Sequence, residues 1–224
     1  GPAARGRGAL RHLCGDAGHH GARRPALAPL GGAGGGVLLG RRALSAPAPL
    51  VGVIANPASG KDIRRLIAHG ASLDNQSKVS IVRRVLVGLG ALGVERVLLM
   101  PDRQRLAERA LQGVAARAEP IPAAEIVDMP ITDEPEDSTR AAAAMREAGA
   151  GCLVVLGGDG TARVVARGAG EVPIVSISTG TNNVLPACVE GTLAGMAAAG
   201  VARGLVAREE AAIRHKGLAL WLDG

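Results

Sequence analysis

From residue 49 onward, short unbroken apolar runs alternate with longer stretches whose apolar residues recur every three or four positions. The first pattern predicts buried strands and the second amphipathic helices. Residues 49–56 (PLVGVIAN) form an apolar run that ends in Asn-Pro, a strand leading into a turn. The stretch 76–92 has apolar residues at 81, 82, 85, 86, 89 and 92, interspersed with Lys78, Arg83 and Arg84. That spacing predicts a helix, and Gly93 supplies a stop. The pattern then predicts a strand at 94–100, a helix at 103–117, a weaker strand at 125–131 and an Ala-rich helix at 136–148. A fully apolar strand follows at 152–156, then a short helix from Thr161 to Arg167, a strand at 172–178 and a helix at 191–202.

Strands alternating with helices define an α/β fold, a parallel sheet flanked by helices on both faces. Continuous apolar runs fit strands buried on both sides. In such sheets ligands bind beyond the carboxyl ends of the strands. Three unusual loops follow strands: Asn56-Pro57-Ala58-Ser59-Gly60-Lys61, Gly157-Gly158-Asp159-Gly160-Thr161 and Ser178-Thr179-Gly180-Thr181-Asn182-Asn183. All three are expected to converge on one edge.

Residues 1–48 show no sustained period and include the flexible tract GGAGGG. This segment changes how the net charge of +6 is understood. Residues 1–50 hold seven arginines and one acid, Asp16, whereas the remainder is balanced at nineteen basic and nineteen acidic side chains. A nucleic-acid partner inferred from the overall charge is therefore not expected, and with no Tyr or Phe and one Trp the stacking platforms for single strands are nearly absent. Three origins stay open for the basic segment: a disordered extension or mis-assigned start, which is favoured, an organelle transit peptide, or a functional basic arm. Without a transit peptide, a cytoplasmic location is expected. No apolar run reaches the ~18 residues of a membrane span. Cys14, Cys152 and Cys188 lie far apart and lack a C-x-x-C spacing, which argues against a disulfide framework or a zinc site. Cys152 and Cys188 are expected to be small core residues.

The candidate chemistry centres on Gly157-Gly158-Asp159-Gly160-Thr161. Glycines let backbone approach a phosphate and adopt positive φ, and a helix starting near Thr161 offers unpaired amides to an anion. Asp159 is the candidate catalytic carboxylate, orienting Mg²⁺ or taking a proton from an attacking hydroxyl. An ordinary Asp-Gly turn is the plainer alternative. Walker A does not fit, because Ala55 stands where its first glycine belongs and Asp62 where Ser or Thr belongs. The dinucleotide fingerprint fails at Arg163. In the other two loops, Ser59, Lys61 and the hydroxyls and amides around Gly180, Thr181 and Asn183 are suited to phosphate oxygens, and Asn183 to bridging loops. Capped turns would look the same.

Together, G-G-D-G-T, the following strand and G-T-x-N resemble the NAD kinase, diacylglycerol kinase and sphingosine kinase superfamily. N-P-x-S-G after the first strand is similar to its lipid-kinase branch. The stretch from Asn56 to Asp102, with VLGGDGTARVV and ISTGTNNVLP, resembles the ATP-NAD kinase-like proteins of acetoin catabolism, the acetoin X protein group. The resemblance covers 49–224. It implies an α/β nucleotide-binding domain at 49–207 and a β-rich C-terminal domain beginning at 208–224, most of which lies beyond this chain. It further implies an ATP-dependent kinase using Mg²⁺, with NAD or another hydroxyl-bearing small molecule as acceptor. A lipid or small-alcohol kinase and a non-catalytic nucleotide-binding regulator are the alternatives. Asp159 would be catalytic and a possible Mg²⁺ ligand; Gly157, Gly158, Gly160 and Thr161 would cradle phosphates; Asn56, Ser59, Gly180, Thr181 and Asn183 would contact the nucleotide. Ser178 departs from the proline usual in the lipid kinases. A homo-oligomer is an open expectation.

Overall fold

The structure, a computed structural model, describes residues 48–59, 74–180 and 183–216. Five strands, β1 (Leu50–Ala55), β2 (Arg96–Leu99), β3 (Ala123–Ile126), β4 (Cys152–Gly157) and β5 (Ile174–Ser178), pair in the order β3-β2-β1-β4-β5. Every neighbouring pair is parallel. The described helices are α1 (Asn75–Ala91), α2 (Leu106–Ala115), α3 (Glu136–Glu147), α4 (Asp159–Ala169), α5 (Gly191–Ala202) and the single turn α6 (Arg208–Ala211). The chain steps outward from β1 through β2 to β3. It then returns across β1 to lay down β4 and β5 on the other side.

Alternation along the central strands feeds two separate cores. Val51, Val53 and Ala55 of β1 and Cys152, Val154 and Leu156 of β4 join α1, α2 and α5 in one. Leu50 and Ile54, with Leu153 and Val155, join α3 and α4 in the other. Both faces are covered, so β1 and β4 are buried along their whole length. Each fully buried Val or Leu side chain contributes about 1.5–3 kcal/mol before entropy is counted.

Helix α1 shows how local sequence sets the ends. The Asp74 carboxylate accepts the Ser77 amide at 2.7 Å, an N-cap. At the far end Gly93 has φ of +69°, and the amides of Gly93 and Val94 close on the carbonyls of Gly90 and Leu89. This is the Schellman closure that glycine permits without a Cβ penalty. Helices α1 and α5 cross at backbone contact. A Cβ on Gly88 would lie 2.3 Å from the Thr192 carbonyl oxygen, and one on Gly195 would lie 2.3 Å from that of Val85.

Several boundaries differ from those the pattern predicts. Strand β3 runs from 123 to 126 rather than from 125 to 131. It is an exposed edge, so its apolar signal is weak. Helix α2 begins at Leu106 rather than 103, because Arg105 is left-handed (φ 54°) and the buried Asp102 carboxylate takes the amides of Gln104 and Leu106 at 2.8 and 3.0 Å. Strand β5 begins at 174 rather than 172. Helix α4 begins at Asp159, two residues before Thr161. Cys188 is exposed, a correction to its expected place in the core, since the segment after Pro186 lies on the surface. Cys152 is buried as expected, and burial pushes its thiol up to about 12. The basic segment (except Ala48) and residues 217–224 of the expected β-rich domain lie outside the described residues. No described helix is long and apolar enough to cross a membrane.

Candidate functional site

Strand order reverses between β1 and β4, so the loops leaving their carboxyl ends diverge and open a crevice, the switch point of an open α/β sheet. Asn56, Ser59, Asp159, Thr161 and Asn183, predicted from three separate loops, meet there.

The loop after β1 is shaped by Asn56. Its Oδ1 accepts the Ala58 amide at 2.8 Å, a side-chain-closed turn. Its Nδ2 donates to Thr161 Oγ1 at 3.1 Å, joining positions 105 residues apart. Ser59 Oγ donates to the Asn56 carbonyl at 2.7 Å and accepts from Thr179 Oγ1 at 3.1 Å. Thr179 is fully buried. Beneath the loop, Nζ of the fully buried Lys78 donates to the carbonyls of Asn56, Pro57 and Ser59 at 3.0, 2.9 and 2.7 Å.

The loop after β4 uses its glycines differently from expectation. None of Gly157, Gly158 and Gly160 has positive φ; Gly158 caps α4 in an extended conformation. Gly157 is required by closeness, since a Cβ there would lie 2.4 Å from the Thr161 Cβ. Packing does not require glycine at 160: nothing stands within 4 Å of where its Cβ would be, so the space beside it is open. The first turn of α4 therefore presents bare backbone, and amides at a helix start attract anions.

Asp159 is the first residue of that turn. Its Oδ1 accepts the amides of Val184 (3.0 Å) and Leu185 (2.9 Å), and its Oδ2 accepts that of Val184 (2.9 Å). The Asp159 amide donates to Asn183 Oδ1 at 3.4 Å. Asn183 Nδ2 in turn donates to Ser178 Oγ at 2.7 Å and to the Gly180 carbonyl at 3.3 Å. Asn183 thus bridges the loops after β4 and β5, as its position suggests. A carboxylate offers about four lone-pair directions; among the described residues the two amides, that of Val184 forked, reach three of them, and one remains on Oδ2. Thr181 and Lys61 lie outside the described residues.

A cleft of about 230 Å³ opens on the other side of the β1 loop, lined by Asn56, Pro57, Met100, Asp102, Asp133 and Asp137 among others. Burial pushes the Asp102 carboxyl up, against the lowering effect of the Leu106 and Gln104 amides. Burial also works to raise Asp137, but hydrogen bonds from Thr132 and Asp133 and the nearby Arg140 guanidinium outweigh it and hold the group below its ordinary value. Among the described residues no group of three or more His, Cys, Asp or Glu side chains is placed to hold a metal.

Sequence reasoning missed the roles of Lys78, Ser178 and Thr179, and the two amides that hold Asp159. For Lys78 the signal was present: it shares a helical stripe with the buried Val82, Val85 and Leu89.

Fold and site together define an open, doubly wound α/β domain with a polar switch-point crevice built around a glycine-flanked aspartate. The chain belongs to the ATP-NAD kinase family: the profile of the ATP-NAD kinase N-terminal domain matches residues 51–206. It is also 46% identical over 174 residues to "Acetoin catabolism protein X" of Cupriavidus necator, an alignment covering 76% of this chain and 48% of that protein. The chain thus spans about half the length of the curated relative it matches. No solved structure matches it.

Proposed function

We propose that this chain supplies the nucleotide-binding part of an ATP-dependent phosphotransferase that moves the γ-phosphoryl group to a hydroxyl. The NAD 2′-hydroxyl is the first acceptor to consider. The observation that carries this reading is the convergence of the three post-strand loops around the open first turn of α4, which carries Asp159. Phosphates would lie against the bare amides around Gly160, beside Thr161 and Asn56. The free lone pair on Asp159 Oδ2 would accept the acceptor's proton or bind the metal. Bound Mg²⁺ would spread the charge of the transferring group. The Val184 and Leu185 amides would keep the carboxylate aimed while that happens. The acidic cleft beyond the β1 loop repels phosphate and suits the uncharged nucleoside half of the ligand. Catalysis would then rest on positioning and electrostatics, the general pattern for phosphoryl transfer.

The Asn56-Pro57-Ala58-Ser59-Gly60 stretch supports a second acceptor class, lipids or small alcohols. The name of the Cupriavidus relative supports a role linked to acetoin catabolism. Purified full-length protein incubated with ATP, Mg²⁺ and NAD is expected to form NADP. Phosphorylation of a lipid or small alcohol without NADP would overturn the NAD reading. Nucleotide binding with no phosphorylated acceptor would make the protein a regulator instead.

A further inference from the structure

Lys78 is the least expected side chain near the crevice. Lysine is almost never fully buried unless its charge is met by partners. Here it has no exposed surface and sits in the first turn of α1, beneath the β1 loop. An ammonium carries three N–H donors, and Nζ meets three carbonyls of one short loop, those of Asn56, Pro57 and Ser59. Converging carbonyls repel one another, so this loop shape depends on a cation at their focus. The same loop residues reach the rest of the site: Asn56 through Thr161, and Ser59 through Thr179. A displacement of the loop therefore reaches both other loops at once.

We propose that Lys78 is a positioning residue for nucleotide binding. It acts from beneath, by drawing the β1 loop into the shape that lets Asn56 and Ser59 lock the crevice, without touching the nucleotide. This rests on the phosphotransferase reading of the same crevice. Arginine cannot replace it, because a planar guanidinium fork does not focus three donors on one point.

The test is a double-mutant cycle on full-length protein with Lys78→Met, Lys78→Arg and Asn56→Ala. The affinity for a non-hydrolysable ATP analogue with Mg²⁺ is measured beside hydrogen exchange of the Ala58 and Ser59 amides. Each Lys78 variant is expected to lose about tenfold or more in affinity, the scale of a lost hydrogen bond to a charged group. Exchange at Ala58 and Ser59 should quicken by a similar factor. Because Lys78 acts through the loop, adding Asn56→Ala to a Lys78 variant should cost little further affinity. Affinity within twofold of wild type in a folded Lys78 variant would overturn the proposal, as would fully additive losses. If Lys78→Met does not fold, Lys78→Arg decides. If wild-type protein fails to bind the analogue, the phosphotransferase reading falls, and the role of Lys78 in nucleotide binding falls with it. The exchange data then still show whether Lys78 shapes the loop.

Discussion

On the α1–α5 face, Gly88 and Gly195 bring two helix backbones into contact, and the surrounding side chains are aliphatic. At the carboxyl edge of the same sheet, Asn56, Ser59, Lys78, Asp159, Thr179 and Asn183 hold three loops together through directional polar bonds. The face is stabilised by contacts that need shape and have little chemical consequence. The edge spends polar groups on geometry, and Asn56, Asp159 and Asn183 among them are also groups that phosphate chemistry can use. Damage to the face should therefore appear in stability and damage to the edge in function.

The sharpest break of that comparison is Asp159→Asn. Phosphotransfer is expected to fall about 10²–10⁴-fold, the range for losing a positioned acid or base, while ATP affinity stays within a few-fold. Steady-state rates and a binding isotherm on one preparation check it, and full turnover would remove Asp159 from the chemistry. Gly195→Val tests the other side. Its branched side chain would meet the Val85 backbone, and overpacking of this kind costs roughly 1–3 kcal/mol or more. Denaturant unfolding should register that loss while the folded fraction still binds nucleotide.

A smaller effect separates the acidic cleft from both regions. Hydrogen bonds and Arg140 outweigh burial to hold Asp137 low, so its charged form stabilises the fold. That contribution is whole above the ordinary carboxylate value of about 3.9 and is lost as pH falls through the lowered folded value. Wild type should be more stable than Asp137→Asn at neutral pH, and the gap should close on acidification below that ordinary value. A gap independent of pH would assign the effect to packing alone.

The same contrast explains what could be read from the chain. Strands β1 and β4 were legible because both faces are buried, so their residues are uniformly apolar. Helix α1 was legible from its period, and its glycine stop from position alone. Strand β3 was misplaced because an exposed edge needs few apolar residues. At the site, residue types in the three loops pointed to the right edge of the sheet. Their pairing was hidden, since Asn56 meets Thr161 across 105 residues and Ser59 meets Thr179 across 120. Lys78 was overlooked because a lysine in an amphipathic helix is by default taken to face solvent. Of the glycines in the Asp159 loop, Gly157 is fixed by close approach to Thr161 rather than by left-handed backbone, and Gly160 by neither.

On the proposed function, the three loops form one nucleotide-phosphate site. Hydrogen exchange of the full-length protein with and without Mg²⁺ and a non-hydrolysable ATP analogue tests it most directly. Amides at 58–59, 159–162 and 183–185 are expected to gain protection together, with the α1–α5 crossing unchanged. Binding without protection of these segments, or protection confined to one of them, would contradict it.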